Sequence, residues 1–133
     1  YVAILLLASG EARASIAGLV IGAFGLGGVI YSLSVPVLVA HFVERKLMLI
    51  GGVLAAAALT FAALHFSWGT QVAIFGMFGF GFYLLHGCIQ VHVTDLSATA
   101  RGATTSVHSS FFFMGQATGP VVYGFGYAHG GLQ

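Results

Sequence analysis

No charged side chain falls between Arg13 and Glu44, and none between Lys46 and Asp95. Stretches of that length leave little choice of solvent, because a helix needs only about 20 predominantly apolar residues to cross a bilayer. A soluble domain carries roughly a quarter of its residues as charges. Here only 5% are charged while 59% are hydrophobic, with a mean hydropathy of +1.02. So few charges cannot cover the surface of a water-soluble fold, and the chain must be solvated mostly by lipid. Lipid offers the backbone no hydrogen bonds, so the apolar stretches are read as helices.

The expected fold is all-α, a polytopic transmembrane helix bundle with one partial and four complete spanning helices. They are placed at about 1–8, 16–40, 47–66, 71–93 and 101–128. The first segment is too short to span and reads as the end of a helix begun upstream, which suggests a chain cut from a longer protein. Ser15 is expected to cap the second helix, and Pro36 to bend it. Gly18 and Gly22 have the small-xxx-small spacing that lets helix backbones approach closely in lipid, so they are expected to serve packing. The third segment, rich in Leu and Ala, suits a lipid-facing or peripheral position, with His65 at its boundary. Trp68 is placed in a tight turn at headgroup level.

The loops at 41–46 and 94–101 are separated by two crossings and therefore share a side. They hold Arg45, Lys46 and Arg101 against Arg13 alone on the other, which makes their side cytoplasmic by the positive-inside rule. A net charge of +1 with no basic face points away from nucleic acid. Cys88 is the only cysteine, so no disulfide can form within the chain and no cysteine-cluster metal site exists. Neither a metal nor another cofactor is expected. The three acids, Glu11, Glu44 and Asp95, all fall in loops and make no catalytic pair, so the chain is not read as an enzyme.

Polar residues inside the apolar runs need a reason. Tyr83, His86 and Gln90 fall at i, i+3 and i+7, one helical face that should look at protein or a water-filled path. Two readings of His86 stand: a substrate or proton contact able to change charge near neutral pH, or an interhelical hydrogen bond that only fixes packing. On the fifth helix Thr105, Ser109, Phe112 and Gln116 share an arc bordered by His108. Hydroxyls in membrane helices often bond back to their own backbone. Gln116 has no such local outlet, and is the leading candidate for a group facing an aqueous cavity. His86 and His108 lie at similar depth from the shared loop. The sequence Gly115-x-x-x-Gly119-Pro120 adds a close-approach motif and a kink beside Gln116, as at a packing or hinge surface.

In this order the features resemble the major facilitator superfamily of secondary transporters. Residues 37–49, VLVAHFVERKLML, are similar to the basic loop between the second and third helices of each half of that fold. Arg45 and Lys46 match its paired basic residues, while His41 and Glu44 stand where the motif carries Asp and Gly. Residues 79–90, GFGFYLLHGCIQ, then Ala100-Arg101-Gly102 and residues 115–120, GQATGP, resemble the tenth and eleventh helices of bacterial members. The resemblance implies the end of the seventh helix through the eleventh, in the C-terminal half of a twelve-helix protein. It further implies alternating access by rocking of the halves, with the missing N-terminal half as partner and a small organic solute as substrate. Proton-coupled efflux at the bacterial inner membrane is the form expected. Gly115 and Gly119 would pack on the other half; Arg45, Lys46, Asp95 and Arg101 would belong to cytoplasmic loop motifs. The alternative is a small polytopic membrane protein that assembles with partners and transports nothing.

Overall fold

The computed structural model describes residues 2–8, 10–64 and 66–130. Its described residues form five helices: α1 (Val2–Ala8), α2 (Ala14–His41), α3 (Glu44–Ala62), α4 (Trp68–Asp95) and α5 (Arg101–Gly130). The all-α bundle expected from the charge-free runs is therefore the architecture. His65 lies outside the described residues. By length and composition α2, α3 and α4 can cross a membrane. That count corrects the expectation of four complete spans. At 30 residues α5 is long enough, but its Ser, Thr, Gly, His and Gln keep it below the hydropathy of the other three.

Chain direction after α1 is set by Gly10, whose φ of 82° is the left-handed conformation that side chains resist. Its N–H donates to the Leu7 carbonyl and the Glu11 N–H to that of Leu6, the double closure of a Schellman ending. Ser15 does not cap α2. Arg13 occupies the N-cap position with extended backbone and no side-chain hydrogen bond to the helix. The reason is local: the Arg13 guanidinium is held by the Glu11 carboxylate at 2.7 and 2.8 Å.

Hydrogen bonds from the Arg13 side chain and then its backbone N–H hold the Glu11 carboxyl down from 4.5 to about 2. A lowered carboxyl pKa contributes stability that is present above the ordinary value and lost as pH falls through the folded one. Side-chain-detected NMR titration of Glu11 is expected to give a midpoint near 2, and Arg13→Gln to return it towards 4.5. A midpoint already near 4.5 in the parent chain would show that the pair does not persist.

The turn from α2 to α3 is shorter than expected. His41 still belongs to α2, its Nδ1 lying 2.9 Å from the Val37 carbonyl, and only Phe42 and Val43 connect it to α3. Glu44, Arg45 and Lys46 form the first turn of α3 instead of a loop. At its other end α3 stops at Ala62, and Trp68 opens α4 instead of sitting in a turn. Pro36 and Pro120 lie inside α2 and α5, which run through them uninterrupted.

Two compact units divide the chain, Tyr1–Ile89 and Gln90–Gln133. The first is organised around α4. An added Cβ at Gly27 would strike the Gly76 carbonyl and come within 2.6 Å of the Phe80 nitrogen; one at Gly79 would strike the Phe24 carbonyl. On the side towards α3, a Cβ at Gly51 would lie 2.7 Å from the Leu85 nitrogen, and one at Gly81 2.8 Å from that of Ala55. Gly79 and Gly81 are about 200° apart around α4, so one helix presents glycine to both neighbours. The small cores between these contacts are Leu6, Ile16 and Val20; Leu47, Leu84 and Cys88; and Ala58, Ala62 and Ile74. In lipid such contacts hold helices by packing, since apolar side chains gain little by leaving acyl chains.

Only 22% of the most apolar window of α2 and of α3, and 28% of that of α4, is buried within the protein. The rest is apolar surface, with Leu33 77% exposed on α2. Helix α3 buries one side, through Leu47, Gly51, Ala58 and Ala62, and exposes Leu49, Val53 and Leu59 on the other. The second unit holds the end of α4 and the whole of α5.

Candidate functional site

The polar positions of α4 divide among different neighbours. Tyr83 is half-buried and turns towards α2, its ring 5.5 Å from that of Phe24 and stacked at 6.4 Å on Tyr31. Two glycines make room for this pair. A Cβ at Gly28 would come within 2.6 Å of the Tyr83 ring, and one at Gly87 would strike the Tyr31 hydroxyl. His86 is also half-buried and lies parallel to Phe82, with ring centroids 5.6 Å apart and planes 7° from each other. Phe82 in turn touches Phe24, Phe78 and Tyr83, so the histidine extends a run of aromatic rings. Gln90 is exposed, and its carbonyl accepts from the Thr94 hydroxyl at 3.2 Å.

His86 belongs to the first unit and His108 to the second. His108 is half-buried and stacks on Phe112 at 6.4 Å. Around it the hydroxyls of α5 bond back to their own helix: Thr104 and Thr105 to the Arg101 carbonyl, Ser106 to Gly102, Ser110 to Ser106 and Thr118 to Met114. Ser109, half-buried, is the serine of that helix that makes no such bond among the described residues.

Gln116 is exposed in the middle of α5, and its amide makes no hydrogen bond within the described residues. Pro120 lies four residues on and has no N–H, so the Gln116 carbonyl also lacks its helical donor. The kink motif thus places a polar backbone group and a polar side chain at one residue. Gly115 and Gly119 flank it with nothing within 4 Å of where a Cβ would stand. The same openness holds at Gly18 and Gly22, and the close glycine contacts of α2 among the described residues fall at Gly27 and Gly28 on other sides of that helix.

Arg45, Lys46, Asp95 and Arg101 are all exposed, and none forms an ion pair among the described residues. Arg101 opens α5, and the second unit holds a cleft of about 460 Å³. Val93 lines it from the last turn of α4, Leu96 from the residue after that helix, and Ala103, Thr104, Val107, His108 and Phe111 from α5. Among the described residues no three His, Cys, Asp or Glu side chains gather to hold a metal ion.

Two features escaped the sequence reading. One is Gln71, a buried polar residue whose Nε2 donates to the Ala62 carbonyl at 3.0 Å. The other is the Phe24–Tyr31–Tyr83 cluster, for which the aromatic residues spaced between glycines on α2 and α4 were the available signal.

Three helices of spanning length and composition, packed through glycine and with apolar flanks exposed, define an all-α integral membrane protein. No protein-family model, curated protein or solved structure matches the chain.

Proposed function

We propose that this chain forms part of a secondary transporter of the bacterial inner membrane, moving a small organic solute by alternating access. The observation that carries the reading is Gln116. Its amide has no partner among the described residues and its carbonyl lacks the helical donor that Pro120 cannot supply, in the middle of a 30-residue helix beside two glycines with no described atom within 4 Å of a Cβ. In hydrocarbon an unpaired amide is costly, so that face calls for water or for polar groups from outside these residues. A transport cavity closed by a second half of the same protein supplies both. The resemblance of residues 79–90, 100–102 and 115–120 to the tenth and eleventh helices of the major facilitator fold supports the same reading. His86 and His108 are then the groups able to couple transport to protons, and Tyr83, Gln90 and Ser109 the further polar groups of the pathway.

Gln116→Leu in the whole transporter is expected to lower solute flux about tenfold, the scale of one lost hydrogen bond at a polar site. Insertion into the membrane should be unchanged. Flux in inverted vesicles equal to that of the parent protein would refute the cavity role. The competing reading, a subunit that assembles without transporting, is favoured by the open Gly18 and Gly22 side of α2. A parent reading frame with seven further spanning helices would exclude it.

A further inference from the structure

We infer that the cleft between the end of α4 and the start of α5 binds one anionic phospholipid, with an acyl chain on its apolar wall and the phosphate at Arg101. The inference does not depend on transport. At about 460 Å³ the cleft falls within the roughly 300–1,000 Å³ of ligand sites, and its lining is apolar apart from Thr104 and His108. It lies where the spanning helix α4 ends, so an acyl chain can enter it from the leaflet without crossing water.

Charge selects the headgroup. Arg101, Thr104, His108 and Phe111 fall at i, i+3, i+7 and i+10, one side of α5, which puts the guanidinium over the same side as the cleft. That guanidinium is exposed and has no ion-pair partner among the described residues. The positive end of the α5 dipole adds to its field. The nearest acid in sequence, Asp95, is exposed and forms no ion pair with it among the described residues. A cation above an apolar cleft at the membrane boundary complements a phosphate above an acyl chain, and a zwitterionic lipid gains less from it.

The test uses the full chain carrying Trp68→Phe and Phe111→Trp, which moves the single indole to the cleft. It is reconstituted in phosphatidylcholine vesicles with brominated phosphatidylglycerol or brominated phosphatidylcholine as quencher. Half-maximal quenching is expected at about fivefold lower mole fraction of the anionic lipid, the scale set by one basic residue at a membrane surface. Arg101→Gln should abolish that preference and Arg101→Lys retain most of it, with helical circular dichroism unchanged in both. With the indole placed at Val121, outside the cleft, the two lipids should quench alike. Equal quenching in the parent, a preference that survives Arg101→Gln, or an equal preference at Val121 would each overturn the site. So would loss of the preference in millimolar inorganic phosphate, since the cation would then be reading a free anion.

Discussion

Gly79→Val is expected to separate α2 from α4 and to cost the first unit at least about 2 kcal/mol. The clash is between backbones: a Cβ at this position meets the carbonyl oxygen of Phe24, with the Phe24 carbonyl carbon at 2.8 Å and its Cα at 2.9 Å. No rotamer change can relieve such a contact, so the helices must move apart. That movement would also loosen the Tyr31–Tyr83 stack and the fit of Tyr83 against Gly28, which rest on the same approach. Gly18→Ala and Gly22→Ala should act in the opposite direction. Both sites are open, and alanine favours a helix interior by up to about 1 kcal/mol over glycine. Unfolding by sodium dodecyl sulfate in mixed micelles, followed by circular dichroism, measures all three. A midpoint for Gly79→Val equal to that of the parent chain would refute the glycine-mediated contact.

That opposition of sign shows where the sequence stopped being informative. The spacing of charges was enough to assign the class, because lipid forces long apolar segments into helices whatever they pack against. Helix ends were legible to within a few residues and failed where contacts distant in the chain intervene. Thus α3 ends at Ala62, whose carbonyl accepts from the Gln71 amide nine positions on. Nothing near Ala62 in the sequence announces this. Glu44, Arg45 and Lys46 can enter α3 because Arg45 and Lys46 are exposed and Glu44 is half-exposed at its start, a circumstance that composition alone does not reveal. Gly18 and Gly22 match a packing motif, but a motif describes one helix, and which side of α2 meets α4 depends on both. The glycines used, Gly27 and Gly28, were in view without the spacing that attracts notice.

The polar positions divide along the same line. Helical periodicity placed Tyr83, His86 and Gln90 on one side of α4, but a side 100° wide can meet more than one neighbour. Tyr83 turns to the α2 rings, His86 lies on Phe82, and Gln90 is exposed. Gln116 was legible as a polar group without a local partner, and the proline four residues later already implied an open carbonyl at the same place. The cleft at Arg101 was not legible, because its walls come from two helices and a cavity has no sequence signature.

Gln71→Glu should open the α3–α4 turn, although it exchanges one nitrogen for one oxygen. Gln71 is only 3% exposed, its Nε2 donates to the Ala62 carbonyl, and its Oε1 has no partner among the described residues. A carboxylate there would set an anionic oxygen against that carbonyl and leave a buried charge uncompensated, a cost of about 3–5 kcal/mol. Gln71→Leu removes the same hydrogen bond, worth about 1 kcal/mol, but also removes the acceptor that was buried without a partner. The leucine variant should therefore stay within about 1 kcal/mol of the parent. Amide hydrogen exchange at residues 58–64 separates the two: fast exchange in Gln71→Glu and near-parental protection in Gln71→Leu. Equal protection in both variants would mean that the turn is held by the Ala58, Ala62 and Ile74 contacts alone, and that the amide adds nothing to it.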